Sequence, residues 1–562
     1  MVPGRALLLL AVMGLLPSAC NAMFGVDGLC FDCATGGASS GGGTGATGGQ
    51  AGAGGTTDCS AGDVQPCYEG LAGTVGVGPC EAGEQTCAPE GGSWGPCEGQ
   101  VLPGAEVCGD ELDQDCNGYG CGETVWALGF GDTQDDEARR VQVSPSGRVT
   151  VAGSYRGTID LGAGPLTTDS YDEIGAFVGL LSPDGGHVAS WSLQANAGGS
   201  VVAEGLAEDA AGGIVMGAEL AGSVDLSGTS LVSAGNEDGL ILRFSPEGAP
   251  IWGARFGGAE GDGVEDVAVL ASGDVVVTGH LGGHDGDFMG TALNNHGAAD
   301  VVVARLSAAD GSVTWAESFG ASGDQFPMGL ETFAGGGAVV AGAFDNHIDF
   351  GDGELSSADG WDIFVVRLTG GGDPVWSLAY GAGGNQVPLA TAVTGEGDVV
   401  VAGYSGASFA VGQNLLPNMG ADDAFVIKLS GDGEPLWAQS FGSTGNDGVT
   451  GVAVAADGAI WLTGSCHDGI DFGGDPLAMK AGSEHMFVAK LAADGSHLHS
   501  RSIEMASSVD SPFNYWNYWR QVDVDASGFA YLVGHFYNQI DFGLGEMTSA
   551  GGADAFVAKL AP

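Results

Sequence analysis

The chain is short of positive charge. Lys plus Arg number 15 against 71 Asp plus Glu, for a net charge of −56. So acidic a surface repels nucleic acid and anionic lipid headgroups, which argues against both as direct partners. It favours cations instead, whether Ca²⁺, basic proteins or high salt. Long apolar runs are also scarce: beyond residue 16 none approaches the ~18 residues of a spanning helix. Catalytic signatures are missing. There is no HExxH, and the 10 His are scattered. The G-x-S-x-G matches at residues 37–41 and 91–95 lack a strand–turn–helix setting, and with 106 Gly such matches arise by chance. Beyond Cys121 the only cysteine is Cys466, which reads as a buried thiol. The chain is therefore expected not to be an enzyme.

What is present is Gly together with 44% hydrophobic residues, a composition of many short strands joined by tight turns. The strands repeat. Trp126, Trp191, Trp252, Trp315, Trp376 and Trp437 recur about 62 residues apart, and His499 takes the seventh place. Each unit holds four apolar runs of strand length. A loop carrying I-D-F-G or a variant follows the second run, with Asp160, Asp225, Asp349, Asp471 and Asp541 at one place. The third run is a phrase such as FVIKL or FVAKL. Two hairpins per unit make one four-stranded antiparallel blade. The fold class predicted is all-β: a seven-bladed β-propeller over residues 124–562, preceded by a small disulfide-rich module. An open β-solenoid is the alternative. The units resemble the bacterial beta-propeller repeat (SBBP) family in motif and length, and that resemblance implies the same ring.

The phase of the repeat predicts how the ring closes. The small-residue run belongs near the narrow axis and the Trp run on the rim. The chain begins this region with a Trp run and ends it with a third run, residues 555–560. The first strand is therefore expected to pair with the last and complete the seventh blade, removing open sheet edges. The same phase sends Asp262, Asp324, Asp447, Asp300, Asp362, Asp423 and Asp554 to one face, which is expected to be acidic. These residues either cap turns through their own backbone or hold Ca²⁺.

The N-terminus carries an address. Arg5 and the apolar run to Leu16 read as a signal peptide over residues 1–19. Ser18, Ala19 and Cys20 resemble a bacterial lipobox, which implies diacylation of Cys20; Pro17 departs from the usual Leu. Asn21, with no Asp after the Cys, implies sorting to the outer membrane or cell surface of a Gram-negative bacterium. Residues 20–58 hold the lipidated Cys, a CxxC at Cys30 and Cys33, and a Gly-rich tether. Its roughly 24 flexible residues give an rms reach of roughly 25–30 Å. The membrane is met only through the lipid.

Residues 59–123 form the cysteine-rich module, with Cys59, Cys67, Cys80, Cys87, Cys97, Cys108, Cys116 and Cys121. In a secreted chain this is a disulfide framework of unassigned pairing. Its end reads Asp113-Gln-Asp115-Cys-Asn117-Gly118, the opening of a Ca²⁺ loop, with Tyr119 offering a backbone carbonyl and Glu123 one place early for a bidentate ligand. The stretch from Glu106 also resembles the MopE-like metal-binding motif, a family related to a copper-binding surface protein. It departs where Asn117 replaces the usual Asp and where the trailing acidic pair is missing. The expected ligands are Asp113, Asp115, Asn117, Tyr119 and Glu123. Their hard oxygens suit Ca²⁺ better than copper. The alternative is an Asx-rich turn between disulfides.

Two departures from the repeat are candidate sites. The seventh unit carries an insert with Phe513, Tyr515, Trp516, Tyr518 and Trp519, suited to stacking on sugar rings or clamping a peptide, or else to plugging the channel. The third unit has His280 and His284 near Asp285 and Asp287 in place of I-D-F-G, a metal site or a polar loop. The function expected is a cell-surface binding scaffold for a glycan or protein ligand, with a monomeric propeller. A polysaccharide hydrolase or lyase using face carboxylates, and a structural envelope spacer, are the alternatives.

Overall fold

The computed structural model describes residues 59–70, 73–104, 112–170, 173–196, 198–226, 228–477, 484–505 and 521–562. Seven four-stranded antiparallel sheets stand around an axis. Blade one runs outward through Asp136–Val143, Val149–Tyr155, Gly175–Leu181 and His187–Leu193. Blades two to six repeat that order, with inner strands Ser200–Glu208, Asp262–Val269, Gln325–Thr332, Gln386–Val393 and Gly448–Val454. Blade seven contains Gln521–Val524, Ala530–Phe536 and Asp554–Leu560, and its rim strand is Thr124–Phe130 from the start of the domain. Leu128 stands opposite Val557 in that pairing. The ring closes as the repeat phase predicts.

The core lies between blades. Val215 and Ile241 of blade two pack against Val277 and Val302 of blade three, all fully buried. Each such side chain contributes roughly 1.5–3 kcal/mol by leaving water. The I-D-F-G loops are short hairpins, such as His347–Asp349 with Glu354–Ser356. Their Ile and Phe are buried, and the Phe meets the first Phe of the following strand: Phe350 with Phe364 at 5.3 Å, Phe472 with Phe487 at 5.0 Å, Phe542 with Phe556 at 5.1 Å. The Asp of the motif turns back on its own loop, as where Asp349 accepts from the Gly351 amide at 2.8 Å.

The repeating Trp is a clamp between blades. A turn glycine of the next blade sits on each ring: Gly185 on Trp126, Gly248 on Trp191, Gly311 on Trp252, Gly372 on Trp315, Gly433 on Trp376, Gly495 on Trp437. A Cβ on any of them would stand 2.6–3.2 Å from the indole, and all six have positive φ, so only Gly fits. Five indoles donate to a backbone carbonyl of that same turn region, at 3.0–3.1 Å. The scarce cations serve the same joints. Lys559, Arg305, Arg367 and Lys428, from the FVxKL-type strands, reach the carbonyls of Pro183, Gly370, Gly431 and Ala493, each already accepting from a Trp.

The face aspartates take the capping role. Asp136, Asp262, Asp300, Asp362, Asp423, Asp447 and Asp554 are buried. Each accepts the amide four residues before it, at 2.5–3.1 Å. Buried amides in tight turns need an acceptor, and a carboxylate supplies one. Of the aspartates expected on this face, Asp262, Asp300, Asp362, Asp423, Asp447 and Asp554 thus cap turns, one of the two roles expected for them, and lend it little exposed charge; Asp324 is half-buried, and its amide donates to Asp345 Oδ1 at 2.6 Å.

The cysteine-rich module is stapled by Cys59–Cys87, Cys67–Cys97 and Cys80–Cys116. Cys121 is also disulfide-bonded, to a partner outside the described residues. In the module Val64–Cys67 pairs with Gly83–Thr86. Cys466 is a fully buried thiol outside any disulfide, and its Sγ lies 3.8 Å from the His485 carbonyl oxygen. Among the described residues no helix is long and apolar enough to cross a membrane.

Candidate functional site in the axial channel

Six inner strands carry a register shift at the same place, flanked by Ala138/Arg140, Ala203/Gly205, Val264/Asp266, Pro327/Gly329, Pro388/Ala390 and Val449/Gly451. The extra residues are Arg139, Glu204, Glu265, Met328, Leu389 and Thr450. A bulge kinks its strand and re-aims a side chain. Here it divides the wall of the channel into two sectors. At the level of the bulges, blades one to three contribute charge, and blades four to six contribute uncharged side chains.

In the charged sector Arg139 joins Glu137 at 2.9 Å to Glu204 at 2.5 Å. Arg140 reaches from blade one to the Glu265 carbonyl of blade three at 3.1 Å. His280 Nδ1 meets Glu265 Oε1 at 3.0 Å. Gly263 lacks the Cβ that would stand 2.7 Å from both His280 and Glu219 Oε1, so these two converge over it. The uncharged sector begins at His280, whose ring meets Phe326 edge-on at 5.2 Å, and Phe326 continues to Trp361 at 5.8 Å. Trp361 and Leu389 pack against the cluster of Ala343, Val387 and Tyr404.

Further along the axis lies a cavity of about 260 Å³ bordered by Arg140, Asp266, Glu331, Thr391, Thr450 and Asp523, among others. Asp266 accepts the Leu330 amide at 3.1 Å, and Asp523 the Val143 amide at 2.6 Å, each tying one blade to its neighbour.

Burial raises the proton affinity of these carboxyls. Burial pushes Glu204 up to about 7 against the pull of Arg139, with Glu265 adding to the rise. Burial and then the charges of Glu204 and Glu265 push Glu219 up to about 8. Glu331 rises to about 8 through burial and then Asp266 and Asp523. Burial lifts Asp266 and Asp523 to about 6. For His280 burial opposes the charged form, but the bond and charge of Glu265, joined by the charges of Glu219 and Asp262, together outweigh it and raise the imidazole. The channel is thus a store of protons and of potential negative charge around a partly uncharged wall.

The sequence offered one sign of this site, charged residues inside otherwise small-residue strands: ARRVQV, VVAEGLAE and VEDVAV. Of the described residues chosen from sequence, His280 belongs to this site and the others do not. Cys20 and the aromatic insert with Phe513, Tyr515, Trp516, Tyr518 and Trp519 lie outside the described residues. His280 and His284 are separated: His280 faces the channel, while exposed His284 lies 3.5 Å from Glu260. Asp285 accepts the Asn295 amide at 2.8 Å, and Asp287 stands 3.6 Å from Arg255.

Asp113, Asp115 and Asn117 do share one turn. Asp113 accepts the Asn117 and Gly118 amides at 3.0 and 2.9 Å, and Asp115 accepts the Asn117 amide at 3.0 Å. The Tyr119 amide donates to Asn117 Oδ1 at 2.8 Å. Glu123 belongs to the joint with the propeller. Its carbonyl accepts from Ala561 at 2.8 Å, and its charge acts on Arg501. Among the described residues no group of three His, Cys, Asp or Glu side chains is placed to hold a metal ion. Ca²⁺ takes six to eight oxygens. Asp113 and Asp115 are engaged by the amides of their own turn, the arrangement of an Asx-rich turn.

No protein-family model matches the chain, and no curated protein matches it. Some solved structures are similar at low identity. Sqt1 from Chaetomium thermophilum is 11% identical over 77% of this chain and 85% of its own, with a TM-score of 0.33. A quinohemoprotein alcohol dehydrogenase from Pseudomonas putida is 10% identical over 79% and 78%, also at 0.33. A NanB sialidase variant from Streptococcus pneumoniae is 10% identical over 78% and 71%, at 0.32. Likeness at this level carries no argument about function.

Proposed function

We propose that the protein is a non-catalytic binding scaffold at the surface of a Gram-negative cell, held by a lipid on Cys20 and capturing its ligand at the propeller. The observation that carries the reading is how the carboxylates divide. Those of the loop face are spent on turns, whereas those of the channel mouth stand beside an aromatic wall with partial exposure. Apolar wall plus a few convergent polar groups is the usual make-up of a binding site. The disulfides support an oxidising compartment, which agrees with export. The aromatic insert at Trp516 and Trp519 is proposed as part of the capture surface on sequence grounds.

The test is capture by the purified full chain on a glycan array and on whole cells. The expected result is selective capture, reduced by joint Trp516→Ala and Trp519→Ala substitution. Capture of nothing on either surface overturns the reading. A second reading, polysaccharide hydrolysis or lysis, draws on Glu204 and Glu219, whose pKa values near 7 and 8 suit a general acid. Release of new reducing or unsaturated ends from a captured glycan decides for it.

A further inference from the structure

We propose that the mouth of the axial channel binds an alkylammonium group, presented by a small organic amine or by a lysine side chain. This rests on the binding-scaffold reading and names the chemistry of its ligand. Three observations converge on it. Glu204 is 6% exposed, and its second carboxylate oxygen has no hydrogen-bond partner. Glu219 accepts no hydrogen bond and joins no ion pair among the described residues, yet it borders the same space, its Oε1 converging with His280 over Gly263. Arg139 engages Glu137 and the other oxygen of Glu204, so its charge is committed to one side of the group.

What stands beside these carboxylates selects the kind of cation. The wall running from His280 through Phe326 to Trp361 offers ring faces and edges and no oxygen ligands. A metal ion needs a shell of several oxygens or nitrogens; this wall offers only the imidazole of His280, whose Nδ1 already meets Glu265 Oε1 at 3.0 Å, followed by the rings of Phe326 and Trp361. An organic ammonium needs carboxylates on one side and gains from aromatic faces and apolar surface on the other. A neutral sugar hydroxyl would sit against the rings equally well, but it leaves the repulsion between Glu204, Glu219 and Glu265 in place. A positive charge removes it.

The test uses the full chain and three probes, n-butylammonium, an acetyl-Gly-Lys-Gly amide peptide and neutral n-butanol, followed by calorimetry at pH 8. Butylammonium is expected to bind at about millimolar affinity, as its few heavy atoms allow, and butanol to bind at least about tenfold more weakly. Tighter binding of the peptide identifies a basic polypeptide as the source of the group, and tighter binding of the amine a small molecule; either supports the proposal. Glu219→Gln should weaken the cation about tenfold while the melting temperature holds. Phe326→Leu, a second variant that keeps an apolar side chain, should weaken it severalfold. Equal binding of butylammonium and butanol, absence of binding by both cations, or undiminished binding in Glu219→Gln overturns the proposal. If the cations fail while glycan or cell capture persists, only this inference falls. If capture fails as well, the scaffold reading falls with it.

Discussion

His499 packs against Gly122. At six joints a blade's Trp lies under a glycine of the next blade's turn; at the seventh, that turn does not exist, because the chain ends after the third strand and begins again at the fourth. Gly122, with φ +65°, comes from the linker of the disulfide module and takes the turn glycine's place, and His499 takes the Trp's. Reciprocal bonds fix the joint: the Gly122 amide to the Ala561 carbonyl at 3.2 Å and the Ala561 amide to the Glu123 carbonyl at 2.8 Å. A methyl group on Gly122 would collide with the imidazole. Gly122→Ala should therefore cost about 1–3 kcal/mol, from the positive φ and the overlap together. Urea unfolding followed by Trp fluorescence reads it. Gly395→Ala, at a glycine with open space and ordinary φ, should change little.

The closing seam also carries a pH dependence. Gly131 separates Asp136 from Asp554; its missing Cβ would stand 2.6 Å from one carboxyl and 2.9 Å from the other. Burial first, and then the charges of Asp132 and Asp554, raise Asp136 from 3.8 to about 8. A carboxyl with a raised folded pKa stabilises most when protonated in both states. That contribution is complete below about pH 4 and is lost as pH rises through about 8. Self-repulsion of an acidic chain grows in the same direction. Asp136→Asn keeps an oxygen for the Asp132 amide and removes the charge. It should raise the unfolding midpoint at pH 8 by an amount equivalent to a few kcal/mol and change it far less at pH 5. An equal effect at both values would remove Asp136 from the pH response.

The ring was legible because its signals are periodic. One Trp per unit sets the blade count, and the phase of first and last runs sets the closure. The channel was hidden by the bulge. Strand alternation tells which way a side chain points only while the period stays at two. At Arg139 and Arg140 an extra residue breaks it, so the charges of blades one to three give no direction in sequence. The face aspartates were legible as turn caps but not as buried ones. Sequence shows a carboxylate at a loop, where solvent is the natural expectation; burial of Asp300 or Asp423 follows only from an amide four residues back that needs an acceptor.

The turn at Asp113 separates capping from metal binding. Asp113 accepts two amides of its own turn, beside the Cys80–Cys116 bond. Asp113→Ala leaves both amides without that acceptor and should lower stability by about 1–2 kcal/mol. The loss should be the same in EGTA and in millimolar Ca²⁺, read as the melting temperature of the full chain. A Ca²⁺-dependent rise in the unsubstituted protein that vanishes in Asp113→Ala would restore the cation.

The Gly431 carbonyl tests whether the scarce cations act with the Trp residues or beside them. Trp376 Nε1 donates to it at 3.0 Å and Arg367 Nη1 at 2.5 Å. A carbonyl has two lone pairs, so both donors are accommodated. Trp376→Phe removes one donor and keeps most of the ring. Arg367→Met removes the other, together with the guanidinium that lies over the Phe333 ring at 4.4 Å from its centroid, and keeps an apolar stem. After either change the carbonyl still has a partner, so each should cost about 1 kcal/mol. After both it is left without either donor, and the double variant should lose about 0.5–1.5 kcal/mol more than the sum. Urea midpoints of the four proteins measure that difference. Simple additivity would mean the two donors serve the joint independently, and the recurring Lys or Arg of the FVxKL-type strands would then owe its place to packing along its stem.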